Sequence, residues 1–387
     1  MPRYSAASAF DHSMPARTAV LLVQLGTPDA PETSAVRRYL REFLSDPRVV
    51  EIPRLVWALI LNGIILNVRP ARSAEKYATI WTEHGSPLAL HTVNQAGRLA
   101  QALDARGHSI EVAWAMRYGR PSIAQVMREL RERNVTRLLV LPLYPQYAAS
   151  TTATAFDAVF AELAQWRNQP ELRTVRNFHD HPPYIEALAR HIEAYWAKEG
   201  RPDVLVMSFH GVPRRSLLMG DPYHCECLAT GRLLAERLQL NPEQFRITFQ
   251  SRFGKAEWLQ PYTDQTLREL GERHTGRVDV ACPGFVSDCL ETLEEIAIEG
   301  HETFIEAGGR DYRYLGCLND SPEFISALAR LVEQHAGGWP GCLHELQAVP
   351  GGGERRAVAA ADESSKASCP HALELRRERA VALGAER

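Results

Sequence analysis

The sequence predicts an α/β protein of two similar lobes, each built on a parallel sheet, facing one another across a central cleft. Short apolar runs alternate with stretches of helical spacing over most of the chain, which is how parallel strands joined by helices read. A length of 387 residues is long for one core and suits two domains. The second half also repeats the first. Residues 19–28 are matched in kind by 204–213, Gly26 falling on Gly211 at an offset of 185, and Pro142 falls on Pro283 at an offset of 141. The offsets differ by 185 − 141 = 44, about the size of residues 43–86, which read as an insertion in the first lobe. The expected organisation is a flexible N-terminus over 1–17, a first lobe over 18–175, a second over 176–338, and a flexible tail over 339–387.

Composition narrows the function. The chain is 45% hydrophobic and 24% charged, and a net charge of −3 argues against nucleic-acid binding. No signal-peptide pattern and no run of roughly 18 uninterrupted apolar residues is found, so neither export nor a membrane span is expected. The seven cysteines are an odd count with only Cys225 and Cys227 close together, which fits the reduced thiols of a cytoplasmic protein.

Taken in order, 19–24 is a buried strand closed by the turn Leu25-Gly26-Thr27-Pro28. Val36, Tyr39, Leu40, Phe43 and Leu44 then recur at helical spacing. Residues 52–68 are apolar on nearly all sides and interrupted at Asn62-Gly63. They are either a buried helix or an apolar lip over a pocket or against a membrane surface. Arg69 and Arg72 beside that apolar surface favour the lip, because a large greasy ligand with carboxylate tails needs that pairing. A helix over 92–106, a strand over 110–116 ending in Arg117-Tyr118, a helix over 122–133 and a strand from Arg137 to Pro142 follow. Past Trp339 the chain becomes Gly-, Ala- and Glu-rich, with one short helix expected over 373–381.

Two stretches carry the chemistry. Residues 204–210 form a strand that delivers His210 at its carboxyl end, where open α/β sheets bind ligands. By itself His210 is equally well a hydrogen-bonded histidine at a strand end. After a second strand, near Pro283, Ser287 is a candidate N-cap, and Asp288, Glu291, Glu295 and Glu299 follow at steps of three and four, which aligns them on one helical face. That face is either a solvated acidic stripe favoured by the helix dipole or a row whose first acids point into the cleft towards His210. An imidazole facing a carboxylate suits proton abstraction, or handling of a divalent metal with open coordination positions. Tyr144, Tyr147, Ser251, Trp258 and Phe285, with Arg117 and Tyr118, suggest a slot for a flat aromatic ligand.

The motifs Leu25-Gly-Thr-Pro28, Gly85-Ser-Pro87, Arg117-Tyr118, Tyr144-Pro-Gln-Tyr147 before Ser150-Thr-Thr152, Ser208-Phe-His-Gly-Val-Pro213, Gly220-Asp-Pro-Tyr223, Gln250-Ser251 through Trp258-Leu259, and residues 287–293 closely resemble those of the ferrochelatase family. They occur in the family's order over roughly residues 19–335.

The resemblance implies two Rossmann-like lobes and a lyase that inserts ferrous iron into protoporphyrin IX, the last step of haem synthesis. It implies that His210 and Glu291 bind metal and handle protons, and that Asp288 and Glu295 continue an acidic path. Leu25, Arg117, Tyr118, Tyr144, Ser251, Trp258 and Phe285 then line the porphyrin, while Arg69, Arg72 and Ser86 lie near the propionates. Iron is a substrate, and no tightly bound cofactor is expected. Ala149 stands where animal-type members carry a cluster-ligating Cys, and the tail has only isolated Cys342 and Cys369, which argues against an iron–sulfur cluster. Members that metallate coproporphyrin carry a Tyr where this chain has Leu25, so protoporphyrin is favoured. Alternatives are a chelatase for coproporphyrin III or another tetrapyrrole, and a non-catalytic porphyrin or haem carrier, which has no use for a carboxylate facing His210.

Overall fold

The computed structural model describes residues 4, 5, 7, 11, 13–254 and 256–342. β1 (Arg17–Gly26), β2 (Glu111–Tyr118), β3 (Val135–Pro142) and β4 (Glu171–Thr174) form a parallel sheet in the order β2-β1-β3-β4. β5 (Val204–His210), β6 (Phe245–Gln250), β7 (Arg277–Ala281) and β8 (Asp311–Leu315) form a second parallel sheet in the order β6-β5-β7-β8. The two orders are one arrangement used twice. Both sequence matches fall on equivalent strands: Gly26 and Gly211 close β1 and β5, while Pro142 and Pro283 close β3 and β7. Residues 19–23 are wholly buried, as a parallel strand covered on both faces must be.

The first sheet is flanked by α1 (Thr33–Leu44), the continuous pair α2 (Arg54–Ile60) and α3 (Leu66–Ile80), α4 (Pro87–Ala105), α5 (Ile123–Glu132) and α6 (Thr154–Leu163). The second half supplies α7 (Pro182–Glu199), α8 (Arg214–Leu218), α9 (Tyr223–Arg237), α10 (Thr263–Glu272), α11 (His301–Glu306) and α12 (Pro322–Ala336). α4 starts at Pro87, five residues before the expected Thr92, because proline is pre-set for the first helical turn. The lobes share one core, in which Leu22 and Leu141 of the first sheet, Leu205 and Phe209 of the second, and Phe324 and Leu328 of α12 join the same apolar cluster.

Residues 54–80 form one helix with a single π-helical stretch, Leu61–Ile65, where the sequence is interrupted by Asn62-Gly63. The wider π turn breaks the usual i→i−4 ladder. Asn67 Nδ2 donates to the carbonyls of Asn62 and Gly63, satisfying backbone acceptors there. Leu61, Leu66, Ala74, Tyr77 and Ile80 pack with Val36, Tyr39 and Leu40 of α1, while Leu55 and Leu59 are 84% and 77% exposed. The fully buried alternative is therefore excluded: the helix packs by its underside and leaves an apolar side exposed, as the lip reading requires. By length and composition it is also apolar enough to cross a membrane, the one such helix among the described residues.

Three sequence expectations change. The helix after β7 begins at Leu290, and Ser287, expected as its N-cap, instead accepts a hydrogen bond from Gln95 Nε2 at 2.8 Å. Cys225 and Cys227, whose closeness in the sequence gives them a common setting as spare thiols of one helix surface, are separated: Cys225 is exposed and Cys227 is in the core. The chain from Trp339 to Cys342, expected as the start of a flexible tail, packs on the first lobe. There Trp339 Nε1 donates to Glu171, Ser109 N to the Gly341 carbonyl, and Thr18 Oγ1 to the Pro340 carbonyl. The rest of the tail, with the helix expected over 373–381 and Cys369, and most of the N-terminus before Ser13, lie outside the described residues.

Gly26 has φ +117°, and a Cβ there would lie 1.7 Å from the Tyr118 carbonyl oxygen, so β1 can close against β2 only through glycine. Gly63 has open space where its Cβ would be. Urea unfolding should show Gly26→Ala less stable by about 2 kcal/mol or more. Gly63→Ala should be neutral or up to about 1 kcal/mol more stable. Equal stabilities would contradict this account of the turn.

Candidate active site

β5 ends at His210 because the chain must turn at Gly211, whose Cβ would sit 2.6 Å from the Gln250 carbonyl oxygen and 3.2 Å from the Trp258 ring. His210 Nδ1 lies 2.6 Å from the Gly211 carbonyl oxygen, which can only accept. That nitrogen therefore carries the proton, and in the neutral ring Nε2 keeps its lone pair. Phe285 stands 6.3 Å from the imidazole, ring centre to ring centre. Trp258 is 6% exposed, its indole N–H donated to the Phe253 carbonyl, so it backs the Gly211 turn.

The acids divide between several environments. Glu291–Gly300 is π-helical and continues into α11, so residues four and five apart both neighbour one another: Glu295 stays beside Glu291, while Glu299 also meets Glu294 at Lys76. Glu295 accepts from the Ser251 amide at 2.7 Å and the Ser251 hydroxyl at 2.5 Å. Both reach it because Ser251 adopts φ +66°, a backbone conformation uncommon for a non-glycine residue. Burial pushes the Glu295 carboxyl up from the usual range, and the charge of Glu291 adds to this against the opposing Ser251 bonds and His210. Glu295 thus lies within electrostatic reach of both His210 and Glu291. Glu291 also acts on Tyr39 and Tyr77 at the base of the lip, whose hydroxyls are pushed up chiefly by burial.

Glu294 and Glu299, five residues apart, both accept from Lys76 on α3, at 2.9 and 2.8 Å. This ion pair ties the lip to the π helix. Glu295 and Glu299 also border a cavity of about 230 Å³ with Ser251, Arg252, Asp264 and Thr303. Asp288, expected to continue the acidic path, is instead a buried anchor that accepts from Thr292, Tyr314, Asn319 and the Cys317 amide. Among the described residues no three His, Cys, Asp or Glu side chains are placed to hold a metal ion together.

The opposite wall comes from the first lobe. Leu25 packs against the apolar cluster of α1, the lip and Tyr118, as do Phe43, Trp57 and Ile65 of the lip region and Leu290 and Leu293 around Glu291. Tyr144 is partly buried. Tyr118, expected to line a ligand, is fully buried and donates its hydroxyl to Asp46. Arg117 is paired with the same Asp46 and keeps about a fifth of its side chain exposed. Ser86 is buried and accepts from Thr27, which removes it from any ligand surface in this conformation. Arg69 and Arg72 are exposed on α3, and the Arg69 guanidinium lies 5.6 Å from the Phe253 ring centre.

The family model for ferrochelatase matches residues 17–336. The chain belongs to the ferrochelatase family. It is 61% identical over 340 residues to the ferrochelatase of Chromobacterium violaceum, covering 88% of this chain and 93% of that one. Against the ferrochelatase of Aromatoleum aromaticum it is 59% identical over 340 residues with the same two coverages. Among solved structures, SirB from Bacillus subtilis with Fe3+ superposes with a TM-score of 0.50 at 13% identity, over 83% of this chain and 96% of that one, a likeness of fold. The enzyme is a metal-chelating lyase that inserts iron into a porphyrin in haem synthesis.

Sequence reasoning missed Asp46, Lys76, Gln250 and Glu294 in this ferrochelatase site. Asp46 between Ser45 and Pro47 reads as an ordinary turn former, and Lys76 as a solvated charge on a helix. Gln250 adjoins Ser251, and its amide donates to the Glu291 carbonyl at 2.8 Å. The Ser251 bonds hold down the proton affinity of Glu295, so Ser251→Ala should raise it further. The acid limb of kcat/KM for iron is then expected to move to higher pH. At pH values on that limb, activity should fall roughly tenfold, the equivalent of one charge-assisted hydrogen bond of about 1.5 kcal/mol. A limb that stays in place would separate the Glu295 proton from the rate.

Proposed function

We propose that this ferrochelatase inserts ferrous iron into protoporphyrin IX, with His210 and Glu291 at the reacting centre and Glu295 as the next proton carrier. Metallation replaces two pyrrole N–H protons with one divalent ion, so the site must accept two protons while the ion exchanges its ligands for ring nitrogens. The His210 imidazole takes the first proton at Nε2, the nitrogen its Gly211 bond leaves free. Glu291 and Glu295 take the second, and the raised proton affinity of Glu295 suits it to hold that proton transiently before release beside the outer cavity. The observation that carries the reading is the placing of a free imidazole nitrogen and two partly buried carboxylates, one of them held by Ser251, where β5 and β6 end.

The choice of ring rests on the first lobe. Leu25 lies among apolar and aromatic side chains, which suits the vinyl-bearing edge of protoporphyrin better than the additional propionates of coproporphyrin. Arg69 and Arg72 on the lip are the cations proposed for its two propionates. The exposed row Leu55, Val56, Leu59, Ile64 and Val68 extends the proposal to a cytoplasmic enzyme whose lip touches a membrane surface peripherally. An iron–sulfur cluster has no part in the reading, given Ala149 and a buried Cys342.

His210→Ala and Glu291→Gln are each expected to bind protoporphyrin within a few-fold of the wild type, followed by fluorescence. Each should lose about 10²–10⁴-fold in the rate of iron insertion. Near-wild-type turnover in either variant would sink the assigned roles. A wild-type protein that bound the ring and never metallated it would instead be a carrier.

A further inference from the structure

Asp46 is a buried carboxylate that the proposed proton route does not use. It lies two residues beyond the last residue of α1, where the chain enters the lip, and is 7% exposed. Its Oδ1 accepts from the Arg48 amide at 2.8 Å. Its Oδ2 accepts from Arg117 Nη2 at 2.5 Å, from the Tyr118 hydroxyl at 2.9 Å, and from the Thr154 hydroxyl. Thr154 in turn takes the Arg117 Nε–H at both its hydroxyl, 2.8 Å, and its carbonyl, 3.0 Å. One carboxylate therefore joins the end of α1, the end of β2 and the start of α6.

Burial alone pushes the Asp46 carboxyl up, but the bonds from Thr154, the Arg48 amide and Tyr118, with the Arg117 charge, outweigh it and leave it below the usual range. The site is thus built for a carboxylate that stays ionised. Arg117 lies over the Tyr118 ring, 4.5 Å from its centre, so the anion holds guanidinium and ring as one stacked unit. That unit joins the apolar cluster under the lip, where Tyr118 lies with Tyr39 and its ring stands 5.1 Å from that of Phe43, and on which Leu290 and Leu293 beside Glu291 also pack.

We propose that Asp46 is the positioning residue for the porphyrin wall of the first lobe: it fixes Arg117 and Tyr118, and through them the seat of the macrocycle. The proposal rests on the reading that Arg117 faces the ring. An Arg117 without its anion is an uncompensated cation at a half-buried site, free to swing towards solvent or the propionates. The ring would then bind less well, while ferrous iron, handled at His210 on the other lobe, would not notice.

The test is a double-mutant cycle of Asp46→Asn, Arg117→Met and the two combined, with KM for protoporphyrin, KM for iron and kcat measured for each. Asp46→Asn is expected to raise the porphyrin KM about tenfold with the iron KM unchanged, and Arg117→Met to do the same. The double variant should be no worse than the poorer single. Mere destabilisation would lower kcat through loss of active molecules and leave both KM values where they were, and that result would overturn the proposal. So would additive losses, or a wild-type porphyrin KM in Arg117→Met, which removes the premise while iron insertion continues. Should Asp46→Asn alone fail to fold, the double variant leaves no unpaired charge, and it is compared with Arg117→Met directly. Equal porphyrin KM values support the proposal, and a further rise in the double overturns it. Failure of the functional reading is distinguishable, because it would show as absent metallation in the wild type.

Discussion

The two hydrogen bonds from Ser251 to Glu295 hold a carboxylate inside the protein, next to an imidazole and a second carboxylate. A buried acid without such donors takes up a proton and stops being useful as a charge. Here the donors come from one residue just past the end of β6, which makes both bonds from a left-handed backbone conformation. Gln250 next to it ties the start of the π helix to the same strand end through the Glu291 carbonyl. The edge of the second sheet therefore sets where the acids stand, and the Gly211 turn sets where His210 stands beside them.

What faces that edge is fixed from the other lobe by different means. The lip has few buried residues on its own account, yet its underside shares an apolar cluster with α1, Tyr118 and the residues on either side of Glu291. Lys76 adds an ionic tie from α3 to Glu294 and Glu299. Partly exposed pairs of this kind contribute little to stability by themselves. Their effect is geometrical: they hold one helix of the first lobe against the acids of the second. Asp46 ties the end of α1 to the end of β2 and the start of α6 within the first lobe. The cleft is thus bounded by polar ties on both rims above one continuous core, in which α12 of the second half packs against α4 of the first.

Much of this was legible in the chain. The strands ending at Gly26 and His210 announce themselves as short apolar runs cut off by a glycine turn, and the repeat at offsets of 185 and 141 places equivalent strands correctly in both sheets. The site was less legible where one residue type has two uses. Steps of three and four made Asp288, Glu291, Glu295 and Glu299 look like one stripe; the π helix is a backbone choice that spacing does not reveal, and it sends Glu295 to Ser251 and Glu299 to Lys76. Asp288 and Tyr118 sit within motif segments but spend their polar groups inside the fold. Asp46 and Lys76 carry no local signal of these ties, because Arg117 lies 71 residues from Asp46, and Glu294 and Glu299 lie 218 and 223 residues from Lys76.

The central claim is that the cleft metallates a vinyl-bearing porphyrin through the His210–Glu291 centre. The most direct measurement is anaerobic turnover of the purified protein with ferrous iron, comparing protoporphyrin IX and coproporphyrin III by the loss of free-porphyrin fluorescence. The account predicts iron insertion into both at unequal rates, with kcat/KM clearly higher for protoporphyrin. A higher value for coproporphyrin would contradict the part assigned to Leu25 and its apolar neighbours.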